Sequence, residues 1–360
     1  MLFLAFIHNY FLTALLLMRA SHIIFFVIIS ALARGQSNKI SFPEIESYHY
    51  DTNYIESFNS KLALRFVIPK RVEQFSIRDA KTGQKYVYKA NEHYGIGVGF
   101  TYKSLAVDMT LNPDFTQRDN SRFGSTKEFN LKGSAYLKRT LMDGYLRYYK
   151  GYYVANPTDN TPNWQPNMPY PQRQDIQTVG WGFNYTIPFN WDRYTPKVTF
   201  VLDGKLKKSA GSFMAISSLY FYHLKADSSI VDDTFKPEAQ INKANIALLG
   251  QLFGYSYTLV YKDFYASAGM YPGVTFPLGA VYSDDGKENP RFTANFKLMV
   301  RAGIGYNIEK WYAGAYLILD NNQTALPANL ILGNTLAEFR IFLGYRIAVP
   351  KVVDKVLDKL

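Results

Sequence analysis

Side-chain polarity in this chain alternates with a period of two from about residue 61 almost to the C-terminal end. Successive side chains of a strand point to opposite faces, so a period of two means extended chain with one greasy face and one polar or small face. The run from Phe292 to Tyr306 shows it most clearly. Phe292, Ala294, Phe296, Leu298, Val300, Ala302, Ile304 and Tyr306 alternate with Thr293, Asn295, Lys297, Arg301, Gly303 and Gly305, and only Met299 breaks the pattern. Between Leu336 and Ile347 the pattern returns with Phe342 as the exception, and between Thr178 and Ile187 it is unbroken. Ile96, Val98, Phe100 and Tyr102 stand opposite Gly95, Gly97, Gly99 and Thr101, and Leu62, Leu64, Phe66 and Ile68 begin the series.

Thirteen segments of this kind can be traced. Bacterial outer-membrane barrels normally have even strand numbers, so about 12 strands are expected, with 72–90 and 225–243 the places where the tracing can miscount. Lys103-Ser104, Tyr261-Lys262-Asp263 and Asn307 to Lys310 read as tight connections. By contrast 112–124, 155–175, 277–291 and 321–334 read as long ones, and the five prolines Pro157, Pro162, Pro166, Pro169 and Pro171 make 155–175 the clearest outer loop.

Composition decides which face must be wet. With 29 Tyr and 26 Phe, a soluble sandwich or lipocalin-like barrel that turned its apolar face inward would be overfilled. If lipid takes that face, small and charged residues line the interior and tyrosines supply interfacial girdles. The expected fold class is therefore all-β: a transmembrane antiparallel up-and-down β-barrel over 61–348. A short helical tail at 349–360 is expected from the spacing of Val353, Val356, Leu357 and Leu360.

The N-terminus reads as an export signal over residues 1–35. From Met18 there is a basic residue, Arg19, then an apolar stretch from Ile23 to Leu32, then small residues. Ala31-Leu32-Ala33 and Ala33-Arg34-Gly35 give two cleavage registers, of which the second, leaving Gln36 first, is preferred. Met1 to Leu17 is also apolar, so the true start is expected at Met18. Arg19, Ser21 and His22 divide the apolar region into pieces short of the ~20 residues a spanning helix needs. Residues 36–60 are expected to form a periplasmic segment. The cell outer membrane of a Gram-negative bacterium is the expected location, with outer-membrane lipid and the export and barrel-assembly machinery as partners.

There is no Cys, which excludes disulfides, cysteine zinc sites and thiol nucleophiles. The net charge is +11, but Lys and Arg are scattered, so nucleic acid is not expected as a partner. Beyond residue 35 the only histidines are His49, His93 and His223, with no paired spacing, so no metal site and no cofactor are expected. His223 with Ser217 or Ser218 is the sole arrangement that suggests an embedded lipid hydrolase, and no catalytic residue is assigned. Gly95, Gly97 and Gly99 are not a phosphate loop, because no helix follows them. The informative constellation is the inner face, where Arg65, Lys132, Lys297, Arg301, Arg340 and Arg346 outnumber Asp108 and Glu338. A water-filled pore with these walls would favour small anionic solutes. Two other readings stay open: the charges pair and plug a closed barrel, or the barrel anchors functional surface loops.

Lys208-Ser209-Ala210-Gly211-Ser212-Phe213, with Gly254-Tyr255-Ser256-Tyr257, Pro272-Gly273 and Gly344-Tyr345-Arg346, resembles a family of outer-membrane barrels of unknown function from Bacteroidota. The resemblance covers the second half of the chain. It implies a barrel in the outer membrane, with no catalytic residues to carry over, and the apolar stretch before Met18 departs from the family pattern. Taken by themselves, Ser209 to Ser212 form a tight turn.

Overall fold

The computed structural model describes residues 50–349, apart from 92–93, 117–118, 137–138, 203, 233–234, 236–238, 284–285 and 291. The signal segment, its cleavage registers and the helical tail lie outside the described residues, as do His49 and His93.

Among the described residues twelve strands form a closed antiparallel ring. They are β1 (Lys61–Asp79), β2 (Ile96–Tyr102), β3 (Leu105–Leu111), β4 (Lys127–Tyr136), β5 (Leu141–Val154), β6 (Gln172–Pro188), β7 (Ala210–Lys225), β8 (Ile241–Tyr261), β9 (Phe264–Ser283), β10 (Asn295–Asn307), β11 (Trp311–Ala325) and β12 (Leu330–Ala348). Each pairs with its sequence neighbour, and the ring closes where β12 lies against β1, from Leu330 opposite Asp79 to Ala348 opposite Lys61. The thirteenth traced segment, 195–207, is corrected: it holds the helix Pro196–Phe200 and the two-residue strand Lys205–Leu206, which pairs with Ile55–Glu56 and not with the ring. Between β1 and β2, in the region 72–90, the short strand Lys85–Lys89 pairs with the end of β1 and, at Tyr88 and Lys89, with β5, in addition to the twelve ring strands.

Three of the long connections expected from sequence are corrected, and in the proline-rich one, 155–175, Gln172 already opens β6. β9 continues to Ser283, and β11 runs to Ala325 with β12 starting at Leu330, so 277–283, 321–325 and 330–334 belong to strands. Their turn-forming residues suggest loop, whereas the backbone bonds of the neighbouring strands hold them extended. The tight turns put Lys103 and Lys262 at positive φ, 51° and 57°, a conformation that costs a non-glycine residue roughly 1–2 kcal/mol.

The alternation is realised as two faces. On β1, Ala63, Arg65, Val67, Arg71, Glu73, Phe75 and Ile77 are buried inside the ring, and Leu64, Phe66 and Ile68 are exposed outside it. Both exceptions in the sequence pattern point inward. Met299 packs with Met214, Ile216, Leu252 and Tyr271, and Phe342 packs with Ala63, Val67 and Tyr312.

Candidate functional site

The barrel interior is the only region where the strands bring many charged side chains together among the described residues. Arg65 on β1 donates from Nε to Asp108 Oδ1 on β3 (2.6 Å) and from Nη1 to Thr101 on β2 (2.8 Å). Arg340 on β12 donates to the other oxygen of Asp108 (3.1 Å) and, through Nε, to Glu338 (2.8 Å). Glu338 also accepts from Arg71 Nε (2.5 Å), and Arg71 reaches Glu128 on β4 (3.2 Å). Gly99 makes room for this chain of contacts, since a Cβ there would overlap Asp108 Oδ1 and lie 2.7 Å from Arg65 Nε.

Two further links cross the ring. Lys297 on β10 donates to Asp320 (2.6 Å) and Asn322 (2.8 Å) on β11, and the Tyr220 hydroxyl, from β7 on the opposite wall, donates to the second Asp320 oxygen (2.6 Å). Arg301 on β10 approaches Asp143 on β5 at 3.5 Å, and Asn184 on β6 donates to Asp143 (2.7 Å). Lys132 on β4 faces the same space. A charge taken out of water costs several kcal/mol unless it is paired and hydrogen-bonded, so these contacts are what permits so many ions in a narrow interior.

The basic excess expected on the inner face is corrected. Glu73, Glu128, Asp143 and Asp320 join Asp108 and Glu338 inside, while Arg71 and Arg147 join the basic residues, so the signs come close to balance. The parity of β1 already places Arg71 and Glu73 on the face of Arg65. The faces of β4, β5 and β11 have no such continuous apolar partner row in the sequence, so their carboxylates escape a reading by alternation. Arg346 faces inward but near the terminus-bearing end, where it donates to the carbonyls of Ile308 (2.7 Å) and Leu202 and to Asn307 (2.9 Å). It pins a turn and does not line the central space.

Both ends of the interior are filled by the chain itself. Between β6 and β7 the connection enters the barrel, and all five residues of its short helix α1 (Pro196–Phe200) are buried. Phe200 and Leu202 pack against Ala63, Val67, Tyr312, Tyr316 and Phe342. Lys197 donates to Asn59 (2.5 Å) and to the Lys103 carbonyl (2.7 Å), and Ile55–Glu56 pairs with Lys205–Leu206. The Ser209 to Ser212 stretch, expected as a tight turn, belongs to this arrangement: Ala210 already opens β7, and Ser212 accepts from the Asn190 amide (3.0 Å). At the end with the long connections, Ile230, Val231 and Phe235 sit in a cluster with Phe75, Tyr88, Tyr152 and Leu224. Tyr88 donates to the Ile230 carbonyl (2.5 Å) and Tyr86 to Asp232 (2.6 Å).

Beyond that end, two connections pack on each other. Asp119 caps the four-residue helix Asn120–Phe123, and the Ser121 hydroxyl together with the Ser121 and Arg122 amides holds its carboxyl below the usual range. Arg122 donates to the Pro166 carbonyl (2.6 Å), and Tyr170 stacks on Phe123 at 5.0 Å and meets Trp164 at 5.1 Å. The proline-rich loop thus has a defined shape.

The serines and histidine of the hydrolase arrangement do not meet. His223 Nδ1 lies 2.5 Å from Asn245 Oδ1 on the outer wall, while Ser218 is turned inward. Ser217 shares the outer face but stands six residues along the strand, roughly 20 Å away, bonded to Gln251. His223→Ala is expected to change stability by no more than about 0.5 kcal/mol and to leave any lipase or esterase reading of the purified protein unchanged. Loss of a hydrolytic activity in this variant would contradict the separation.

A family model described as a domain of unknown function, DUF4421, matches residues 49–347. No curated protein matches the chain. Among solved structures the chain is similar to the outer-membrane protease OmpT of Escherichia coli, with 8% identity, 81% of this chain and 98% of that chain covered, and a TM-score of 0.38. It is also similar to an outer-membrane channel of Pseudomonas putida F1 (10% identity, 81% and 97% covered, TM-score 0.35) and to the translocator domain of the autotransporter NalP of Neisseria meningitidis (8%, 80% and 90%, 0.35). Likeness at this level says nothing of activity.

Proposed function

Because the chain belongs to the DUF4421 family, whose description brings a domain and no activity, we propose a function from geometry: an integral outer-membrane barrel, closed to solutes as it stands, that presents shaped loops at the cell surface. The observation that carries this reading is the outer wall. Val98, Met270, Ile304 and Ile341, on four different strands, are each more than half exposed, whereas the charged network of Arg65, Asp108, Lys297, Glu338 and Arg340 lies on the opposite face. Water on that wall would cost about 25 cal/mol for each Å² of apolar surface, whereas lipid removes the cost. Closed barrels are also one of the two backbone arrangements that leave no unsatisfied groups in a bilayer.

Fractionation of cells expressing the full chain, with electrophoresis before and after boiling, tests the placement. A heat-modifiable band in the outer-membrane fraction is expected, and a soluble protein without heat modifiability would end the proposal. Val300 lies between Met270 and Leu319 on the outer wall. Val300→Arg is expected to cost about 2–4 kcal/mol in lipid vesicles, as a cation on the lipid face near mid-membrane does, and an unchanged urea midpoint would argue that the wall faces water.

In this reading the chain performs no catalytic step. A second reading, a gated channel for small anionic solutes, is favoured by one fact: both ends are filled by connecting segments, not by ring strands.

A further inference from the structure

Among the described residues, the interior contacts leave one cation, Lys132, without a bonded partner and another, Arg301, with a single long ion pair beside one cavity. That cavity, of about 50 Å³, is lined by Arg65, Asp108, Lys132, Asp143, Arg301 and Arg340, with α1 against its terminus-side wall. Both oxygens of Asp108 are engaged, one by Arg65 and one by Arg340. Lys132 stands directly across the strand pair from Asp108. Among the described residues its ammonium nevertheless makes no hydrogen bond or ion pair, and its nearest aromatic face is Tyr316, 6.0 Å away. Arg301 is 6% exposed, its Nε has no partner, and its approach to Asp143 is 3.5 Å, longer than a good charge-assisted bond. Asp143 meanwhile accepts from Asn184. A half-buried ammonium with no counter-charge in contact and a buried guanidinium with one distant carboxylate both gain from a further anion.

We propose that this cavity binds one small inorganic oxyanion, held between the Lys132 ammonium and the Arg301 guanidinium. The proposal rests on the barrel reading above and adds a ligand to it. Size and charge set the ligand class. A single water needs roughly 10–15 Å³ of such space, so 50 Å³ admits a group of about five heavy atoms and excludes a nucleotide or sugar phosphate. Four cations line the cavity against Asp108 and Asp143, with Glu338 also bonded to Arg340, which leaves an excess of positive charge that suits an anion, and planar guanidinium donors match the oxygens of a tetrahedral one.

The test uses the full chain folded in detergent, with its heat modifiability checked on the same sample. Inorganic phosphate or sulfate, added during refolding and compared with chloride at equal ionic strength, is expected to raise the unfolding temperature in a saturable way. Lys132→Met and Arg301→Met are each expected to weaken the apparent affinity at least tenfold, and Lys132→Arg to restore most of it. Lys70→Met, outside the interior, is the control and should bind as the parent does. A heat-modifiable barrel that phosphate and sulfate stabilise no more than chloride overturns the anion site and leaves the barrel standing. Undiminished affinity in Lys132→Met and Arg301→Met does the same. A sample with no heat modifiability overturns both.

Discussion

Glu338→Ala is expected to lower the unfolding free energy by about 3–5 kcal/mol, the cost of removing one member of a buried ion pair and leaving the other charge behind. Glu338 is buried and bonds two guanidinium groups at once, Arg71 at 2.5 Å and Arg340 at 2.8 Å through its Nε. Alanine leaves both facing an empty volume, with only Glu128 and Asp108 to draw on. Glu338→Gln keeps the shape and one acceptor oxygen, so its loss should be smaller. The comparison is Glu309→Ala, which breaks an ion pair with Lys61 whose acidic partner is exposed, and there no measurable loss is expected because solvent already screens the pair. Urea unfolding in lipid vesicles separates the cases. A loss under about 1 kcal/mol for Glu338→Ala would mean that water reaches the network and that its burial is overstated.

The second large effect concerns conductance. In planar bilayers the parent chain should be electrically silent, because α1 with Leu202 occupies one end of the interior and Ile230, Val231 and Phe235 occupy the other. Replacing 191–207 and 227–239 together with short Gly-Ser linkers removes both fillings without touching a ring strand. Discrete conductance steps are expected from that double variant, rising from none in the parent. If the parent itself conducts steadily, the closed state is wrong. Silence in a double variant that still shows heat-modifiable mobility would locate the barrier in the ion pairs of the middle, where Tyr220, Asp320 and Lys297 join opposite walls.

Much of the wall was legible in the sequence because its period is a direct image of geometry. Lipid-facing rows such as Phe296, Leu298 and Val300 have to be apolar at every second place, and no tertiary contact can alter that requirement. Strand number was legible to one, with the error at 195–207, where Val198, Phe200, Leu202 and Leu206 alternate with Lys197, Thr199, Lys205 and Lys207 like a ring strand although the stretch opens with a helix packed inside the barrel. The interior was legible in part. Arg65, Asp108, Lys132, Lys297, Arg301, Glu338 and Arg340 lie around the central space, yet their pairing depends on which strands face one another across the ring. Tyr220 and Asp320 are one hundred residues apart, and no local spacing announces their contact. The inward turn of 191–207 was illegible for a related reason. Its burial comes from Ala63, Tyr312 and Phe342, residues supplied by strands at the two ends of the chain.

The seam between β12 and β1 has a consequence for how the molecule is made. Every other pairing between ring strands joins neighbours in sequence and can zip as soon as both strands exist, but the pairing of Leu330–Ala348 with Lys61–Asp79 must wait for nearly the whole chain. Contacts of such long sequence separation are slow, since the loop entropy is lost before the ladder returns any stabilisation. Until then two long strands present bare amides and carbonyls, a template for the wrong neighbour. Assembly therefore has a vulnerable interval set by topology and ended by the last strand, and a chain stopped a few residues short of Leu330 would carry that open edge for good.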